Sequence, residues 1–356
     1  MCGAIRIPHA GTAWRQVSPK PAAPFLFHRF CFVTLWDLFV GQHVPMTKFA
    51  RLFPAPLKAI LEHPSLTDLL LDGFENTFID CGNGLERAAN PFVSDSELAA
   101  FISDLAFEVG SRIDIAKPMA DFMVGSLRFH AVLGHGISPN PQLSIRRHVE
   151  QKVRLDHLEE VNMFDFSTKT LLLELLDSRA NILISGPTST GKTTLLSALI
   201  AELNERVICI EQIPELILSS PAVSLLERPS NQEGAGEISI QQLVVETLRM
   251  RPDRIVVGEV RGKEMGVLLQ AMNNGHSGTL ATLHARSLGE VAGRLVMLGH
   301  LSGLSKELVN QMVLGSVDFV IQLDRENGVR RISAIGKPTI INGILEVRSM
   351  PGIRAA

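Results

Sequence analysis

The chain of 356 residues contains no tyrosine, only two tryptophans and four cysteines, and each scarcity closes a reading. Proteins that hold single-stranded nucleic acid stack its bases on rings set in a basic groove, and no aromatic-plus-basic stripe of that kind is visible. The formal net charge of -3 likewise argues against a surface devoted to DNA or anionic lipid, so no direct, stable nucleic-acid binding is expected. Cys2, Cys31, Cys81 and Cys209 show no CxxC pairing, which leaves neither a structural zinc site nor a disulfide framework and suits a reducing cytosol. Long apolar runs are missing too. The most apolar early stretch, Phe25 to Val44, is broken by His28, Arg29, Asp37 and His43, short of the roughly 20 residues a spanning helix needs.

What the chain has is a phosphate-binding loop. An apolar strand from Asn181 to Ser185 runs into Gly186, Pro187, Thr188, Ser189, Thr190, Gly191, Lys192, Thr193 and Thr194, with the spacing GxxxxGK[ST]. Glycine at both ends lets the backbone curl so that successive N–H groups point at a β-phosphate, and the positive end of the following helix adds to them. Lys192 would reach the β- and γ-phosphates and the Thr193 hydroxyl would sit on Mg²⁺, so ATP with Mg²⁺ is the expected cofactor set. The alternative, a glycine-rich turn without a ligand, does not need this strand-turn-helix setting.

Length and patterning predict two domains. Residues 1–45 form an irregular extension rich in Pro, Phe and Trp; it reads either as an interaction arm or as sequence upstream of a true start at Met46. Residues 46–148 read as a small α+β domain. Leu69-Leu70-Leu71 and Thr77-Phe78-Ile79 are strand-like around Asp72-Gly73, with a second turn at Gly82-Asn83-Gly84. Ser94 to Glu97 fits a capping box ahead of Leu98, Phe101, Ile102 and Leu105 at helical spacing. Leu127, Phe129 and Ala131 alternate with Arg128 and His130, and the segment from Leu143 to Arg147 repeats the alternation with Arg146 opposite Leu143 and Ile145, which leaves a basic face open to ligand or solvent. A charged linker is placed at 149–165, and the larger domain at 166–356.

In that larger domain three strands end in ionisable residues: Arg206–Ile210 at Glu211, Arg254–Val257 at Gly258-Glu259, and Thr279–Leu283 at His284. Open α/β sheets bind ligands beyond the carboxyl ends of their parallel strands, so these groups should gather beside the loop. Glu211 and Glu259 would share the holding of Mg²⁺ through its water shell and the orientation or deprotonation of the attacking water, in an order the residues leave open. A strand-end salt bridge is the plain alternative for either. His284 and His276 are candidates to sense the γ-phosphate. Arg249, Arg251, Arg254 and Arg261 surround the Gly258-Glu259 strand; an arginine acting across a subunit interface is worth about 10³ to 10⁵ in rate, and one or two of these four would serve. Val317–Leu323 and Val329–Ile335, joined through Asn327-Gly328, form an expected hairpin read as packing and subunit contact.

With the loop, Ile210-Glu211 through Glu215-Leu216, Leu248 through Arg261-Gly262, and Gly275 through His284-Ala285 in view, the chain resembles the type II/IV secretion ATPases. Within them it looks most like the tight-adherence pilus ATPases of the CpaF/TadA type. The resemblance covers about residues 65 to 345. Glycine at 258, where most phosphate-loop enzymes carry aspartate, is typical of this family. It implies a RecA-like P-loop NTPase domain preceded by the smaller α+β domain, in a homohexamer binding ATP between the two. Such a motor works at the inner face of the cytoplasmic membrane through inner-membrane platform proteins. By analogy Arg128 and Arg146 or Arg147 reach the nucleotide. Three departures stand out: Ser189 occupies a usual glycine position, Gln212 replaces an aspartate, and Ser277 replaces another. The tetracysteine zinc module of type II secretion ATPases is missing. Two other readings are a type IV secretion ATPase of the VirB type for DNA or effectors, and a nucleotide-binding scaffold with little turnover.

Overall fold

The computed structural model describes residues 51–82, 84–147, 153–218, 221–228, 236–326 and 328–350. The extension over residues 1–45, the first part of the linker, Asn83 and Asn327 lie outside them. Among the described residues the chain builds two sheets, the first of six strands in the order β3-β2-β1-β6-β5-β4. These are β1 (Asp68–Asp72), β2 (Asn76–Asp80), β3 (Leu85–Arg87), β4 (Met119–Val124), β5 (Leu127–Val132) and β6 (Gln142–Arg147). All their pairings are antiparallel.

Two helices, α1 (Ala55–Leu61) and α2 (Asp95–Glu108), cover one face of this sheet. Their Leu57, Leu61, Leu98, Phe101, Ile102 and Leu105 share a core with Leu69, Leu71, Leu127, Phe129, Leu143 and Ile145. Because side chains alternate along a strand, Asp68, Arg128, Ser144 and Arg146 fall on the other face. The α2 cap differs in detail from a capping box. Ser94 accepts from the Glu97 N–H at 3.2 Å, but the Glu97 carboxylate takes the N–H of Val93 at 2.8 Å.

The second sheet has the order β14-β13-β12-β7-β11-β10-β8-β9. Its strands are β7 (Ile182–Ser185), β8 (Val207–Glu211), β9 (Ala222–Leu226), β10 (Arg254–Val257), β11 (Leu280–Leu283), β12 (Phe319–Glu326), β13 (Val329–Ile341) and β14 (Ile344–Ser349). From β12 to β9 every neighbour is parallel, and β13 and β14 extend the sheet antiparallel. Helices flank both faces: α3 (Leu155–Glu160), α4 (Phe166–Asp177) and α5 (Lys192–Ala201) on one, and α6 (Ile240–Thr247), α7 (Glu264–Asn273), α8 (Leu288–Leu301) and α9 (Lys306–Ser316) on the other. The strand β7 shows why it reads as continuously apolar, with Ile182 and Ile184 in one core and Leu183 in the other. The charged segment assigned to the linker contains α3, whose Leu155 and Leu158 are buried with α5 rather than left in solvent.

Parallel pairing aligns the carboxyl ends of β7, β8, β10 and β11 along one edge. The loop that follows β7 therefore faces the residues that end its neighbours. Replacing Leu196 of α5 by alanine would open this core at a cost of about 2–5 kcal/mol.

Candidate functional site

The loop is shaped by close approach. A side chain at Gly186 would fall 2.6 Å from the Leu323 carbonyl oxygen and 2.8 Å from the Thr190 hydroxyl, so no larger residue fits. Gly191 turns the chain into α5 at a φ of 94°, where a Cβ would press on Met163. Ser189 also lies in the left-handed region, at φ 64°. That conformation costs an ordinary residue about 1–2 kcal/mol, while glycine's greater freedom in the unfolded chain returns part of the difference. Ser189→Gly is therefore expected to raise stability by up to about 1 kcal/mol without weakening ADP binding. A lowered melting temperature would show that the strain is offset by the serine side chain.

Lys192 is buried beneath this loop. Its ammonium donates to the Gly186 carbonyl at 2.9 Å and to the Pro187 carbonyl at 2.8 Å, and it stands 3.2 Å from Nδ1 of His284. An ammonium has no acceptor, so Nδ1 must be the lone-pair nitrogen. The proton of that ring then sits on Nε2, 2.8 Å from Oε1 of Glu259. Arg261 holds the other oxygen of Glu259 at 2.6 Å and donates to Oε1 of Gln212 at 3.0 Å. A continuous chain runs from loop carbonyls through Lys192, His284 and Glu259 to Arg261.

The two glutamates sit in opposite environments. Burial pushes Glu259 up, but hydrogen bonds from His284 and Arg261 and the charge of Arg261 outweigh it and hold the carboxyl down at about 2. Burial raises Glu211 to about 7, against the lowering effect of its two backbone bonds. Those bonds come to Oε1 from the N–H groups of Glu215 at 2.9 Å and Leu216 at 3.0 Å. Oε2 is buried and has no hydrogen-bond partner among the described residues. Burial also lowers the Lys192 ammonium.

The missing aspartate at 258 has a steric explanation. A Cβ at Gly258 would lie 3.0 Å from Cγ of Glu211, so the Glu211 side chain occupies the space a larger residue there would need. Thr193 donates to Oε2 of Glu215 at 3.2 Å. Glu215 was not singled out from the sequence, although it follows Glu211 by four residues and its carboxylate meets the expected cation-binding hydroxyl.

The remaining expected residues divide by which edge they occupy. His276 precedes β11, at the amino end of the sheet, where Thr279 bonds its carbonyl and the side chain of Asn181. A four-residue strand of about 13 Å separates that end from His284, so the structure does not bring His276 to the loop in this chain. Arg249 follows α6 ahead of the amino end of β10; it is exposed and paired with Glu246 at 2.8 Å. Arg254 is buried, bonded to Glu205 and to the Leu176 carbonyl, which makes it a packing element of that end.

Arg128 and Arg146 are direct cross-strand neighbours on the open face of the first sheet. Arg128 grips Asp121 through Nε at 3.0 Å and Nη2 at 2.7 Å, and Arg146 holds Asp68 at 2.7 Å. The Asp121 bond raises Arg128 above the ordinary arginine range against the opposing effect of burial, and the charges of Glu215 and Arg261 also act on it. Arg147 differs, since it donates to the carbonyls of His63 and Leu61 at the end of α1. Of the pair left open by the sequence, Arg146 is the one on the open face.

Comparison with known proteins agrees with this layout. The family model described as type II/IV secretion system protein matches residues 132–331. A protein of Mycobacterium tuberculosis named for conjugal transfer is 35% identical over 285 residues, covering 77% of this chain and 81% of its own. The ATPase DotB of Legionella pneumophila superposes with a TM-score of 0.56 at 22% identity, over 78% of this chain and 79% of that one. The pilus retraction motor PilT with bound ADP gives 0.54 at 18% identity, over 83% and 82%. Those two structures speak for the fold, a RecA-like ATPase domain behind an N-terminal domain. With more than half its length inside the family model and a relative above 30% identity across most of both chains, the chain belongs to the type II/IV secretion system protein family and is an ATPase of it.

Proposed function

We propose that the chain is the hexameric motor of a secretion or pilus system, in which ATP hydrolysis at the Lys192 loop drives inner-membrane platform proteins. The observation that carries this reading is the unbroken chain from Lys192 through His284 to Glu259, which joins the phosphate loop to two neighbouring strands. A change in the charge held at Lys192 is felt directly at groups belonging to other elements of the sheet. In this reading Arg128 and Arg146 add positive charge from the smaller domain.

Mg²⁺ fits the donor set. It prefers oxygen ligands and keeps several waters, and the Thr193 hydroxyl and the Glu215 carboxylate are oxygens of the required kind. When bound it would draw charge from the β- and γ-phosphate oxygens. The chain's own residues divide the rest. Glu259, fixed as a carboxylate, orients His284 and balances the cation and its waters; Glu211, near 7, is the group able to take a proton from water at neutral pH.

The tight-adherence pilus branch is the reading favoured by the sequence motifs. The conjugal-transfer name of the relative from Mycobacterium tuberculosis favours a second one, a type IV secretion ATPase. Among the described residues no helix is long and apolar enough to cross a membrane, so attachment at the membrane's inner face would run through partners. Purified protein is expected to release phosphate from ATP with Mg²⁺, without stimulation by DNA, and to assemble sixfold by native mass spectrometry. Glu259→Gln should lower turnover by about a hundredfold or more. Wild-type rates in that variant would remove Glu259 from the chemistry, and a protein monomeric at all concentrations would remove the ring.

A further inference from the structure

Two polar side chains, Ser185 at the end of β7 and Gln322 in β12, are 0% and 1% exposed and occupy paired positions of adjacent parallel strands. Two residues earlier on each strand, and so on the same face, Leu183 and Val320 belong to an apolar core. The Ser185 hydroxyl donates to Oε1 of Gln322. A buried polar pair of this kind adds little stability that an apolar pair of the same shape would lack, and it leaves a costly orphan when either partner is lost. What sets this pair apart is its place, since Ser185 is followed by Gly186, the first glycine of the phosphate loop.

Gln322 reaches Gly186 by two routes. Its Oε1 holds Ser185, the residue just before the glycine. Its Nε2 donates at 3.3 Å to the carbonyl of Leu323, the oxygen that a Cβ at Gly186 would meet at 2.6 Å. The strand is bent at this point: the β12–β13 register shifts between Gln322 and Leu323, and the Ser333 hydroxyl bonds the Gln322 carbonyl at 3.3 Å. Irregularities of this kind re-aim a strand beside a site. The Gly186 carbonyl is in turn one of the two that seat the Lys192 ammonium, at 2.9 Å. We propose that Gln322 is a positioning residue of the phosphate loop, fixing the Gly186 peptide through Ser185 and the Leu323 carbonyl and thereby the seat of Lys192. This assignment rests on the reading of the Lys192 loop as the site of the phosphate tail.

The effect of Gln322 falls on phosphate affinity and rate. Lys192 also faces Nδ1 of His284, whose other nitrogen meets Glu259, so a shifted Gly186 peptide is felt along the whole chain of bonds. Moving a catalytic group by about 1 Å costs about a hundredfold in rate. Gln322 itself is buried, and its amide nitrogen is engaged by the Leu323 carbonyl and stands 3.5 Å from Oδ1 of Asp324. It therefore acts through the loop and does not touch the ligand.

Gln322→Met keeps the reach of the side chain and removes its polar atoms. Val320→Ala, in the apolar core of the same strand, is the control for a merely disturbed β12. Turnover, calorimetric binding of inorganic tripolyphosphate with Mg²⁺, and thermal melting are measured on the full chain. Gln322→Met is expected to weaken tripolyphosphate about tenfold and to lower kcat about tenfold or more. Val320→Ala should melt lower yet stay within about threefold of wild type in both. Ser185→Ala should behave as Gln322→Met does, and the double variant should lose less than the product of the two single losses, because the residues act as a unit. Wild-type affinity in Gln322→Met, equal losses in Gln322→Met and Val320→Ala, or fully independent losses in Ser185→Ala and Gln322→Met each overturn the proposal. Lys192→Ala is the separate control on the underlying reading: tripolyphosphate binding as tight as in wild type would sink the loop itself as the phosphate site.

Discussion

Lys192→Ala is expected to reduce phosphate release by about a thousandfold or more, to the background of the assay. Removing one neutral donor to developing charge in an enzyme site costs about 10² to 10³ in rate. Lys192 exceeds that case on two counts. It carries a full charge, partly withdrawn from water, and it is the donor that keeps Nδ1 of His284 unprotonated. Without it the ring is free to change tautomer, and its bond to Glu259 loses its fixed polarity. Lys192→Arg should not rescue the loss, because the ammonium is a compact charge seated between two loop carbonyls and a planar guanidinium is a larger fork. Stability should move far less than activity, since the carbonyls of Gly186 and Pro187 lie at a loop that water can reach once the side chain is gone. Phosphate release and thermal melting on the same preparations check both halves. More than a tenth of wild-type turnover in the alanine variant would contradict this account of the site.

How much of this was legible beforehand depended on whether the signal was local. The loop, the three strands ending at Glu211, Glu259 and His284, and the β12–β13 hairpin each announced themselves through spacing and turn residues, and the structure places them in one sheet. Residues whose role is set by a distant partner were not readable. Arg254 reads as one of four motor arginines, yet Glu205 and the Leu176 carbonyl hold it in the interior. His276 and His284 look equivalent on either side of a strand, and strand direction alone puts them at opposite edges. Charge misled at the linker, where Leu155 and Leu158 are enough to dock a short helix whose polar side faces water. Gly258 could be recognised as a family trait, but its cause, the nearness of Glu211, is a contact between two strands 47 positions apart by their numbers, 211 and 258. The hairpin's place beside the phosphate loop was invisible for the same reason, because it depends on β12 lying beside β7.

The rate of hydrolysis is expected to rise about tenfold between pH 6 and pH 8 with a midpoint near 7, and Glu211→Gln should abolish that dependence together with most of the activity. A base is competent only when deprotonated, and a group at about 7 passes from mostly protonated to mostly ionised over this interval. Glu259, held at about 2, contributes no inflection there. Stability should run the other way. Glu211 keeps its proton to about pH 7 when folded but loses it near the ordinary 4.5 when unfolded, so its contribution is complete below 4.5 and disappears as the pH rises through 7. The loss is about 3 kcal/mol, at about 1.4 kcal/mol for each pH unit between those values. Glutamine can accept the same two backbone N–H groups without a charge to bury. The variant should therefore melt higher than wild type at pH 8, with the gap closing toward pH 5. Opposed trends in activity and stability, both traced to one side chain, separate a tuned base from a merely buried acid. A flat rate profile from pH 6 to 8, or a Glu211→Gln protein that keeps wild-type turnover, would transfer the proton to another group.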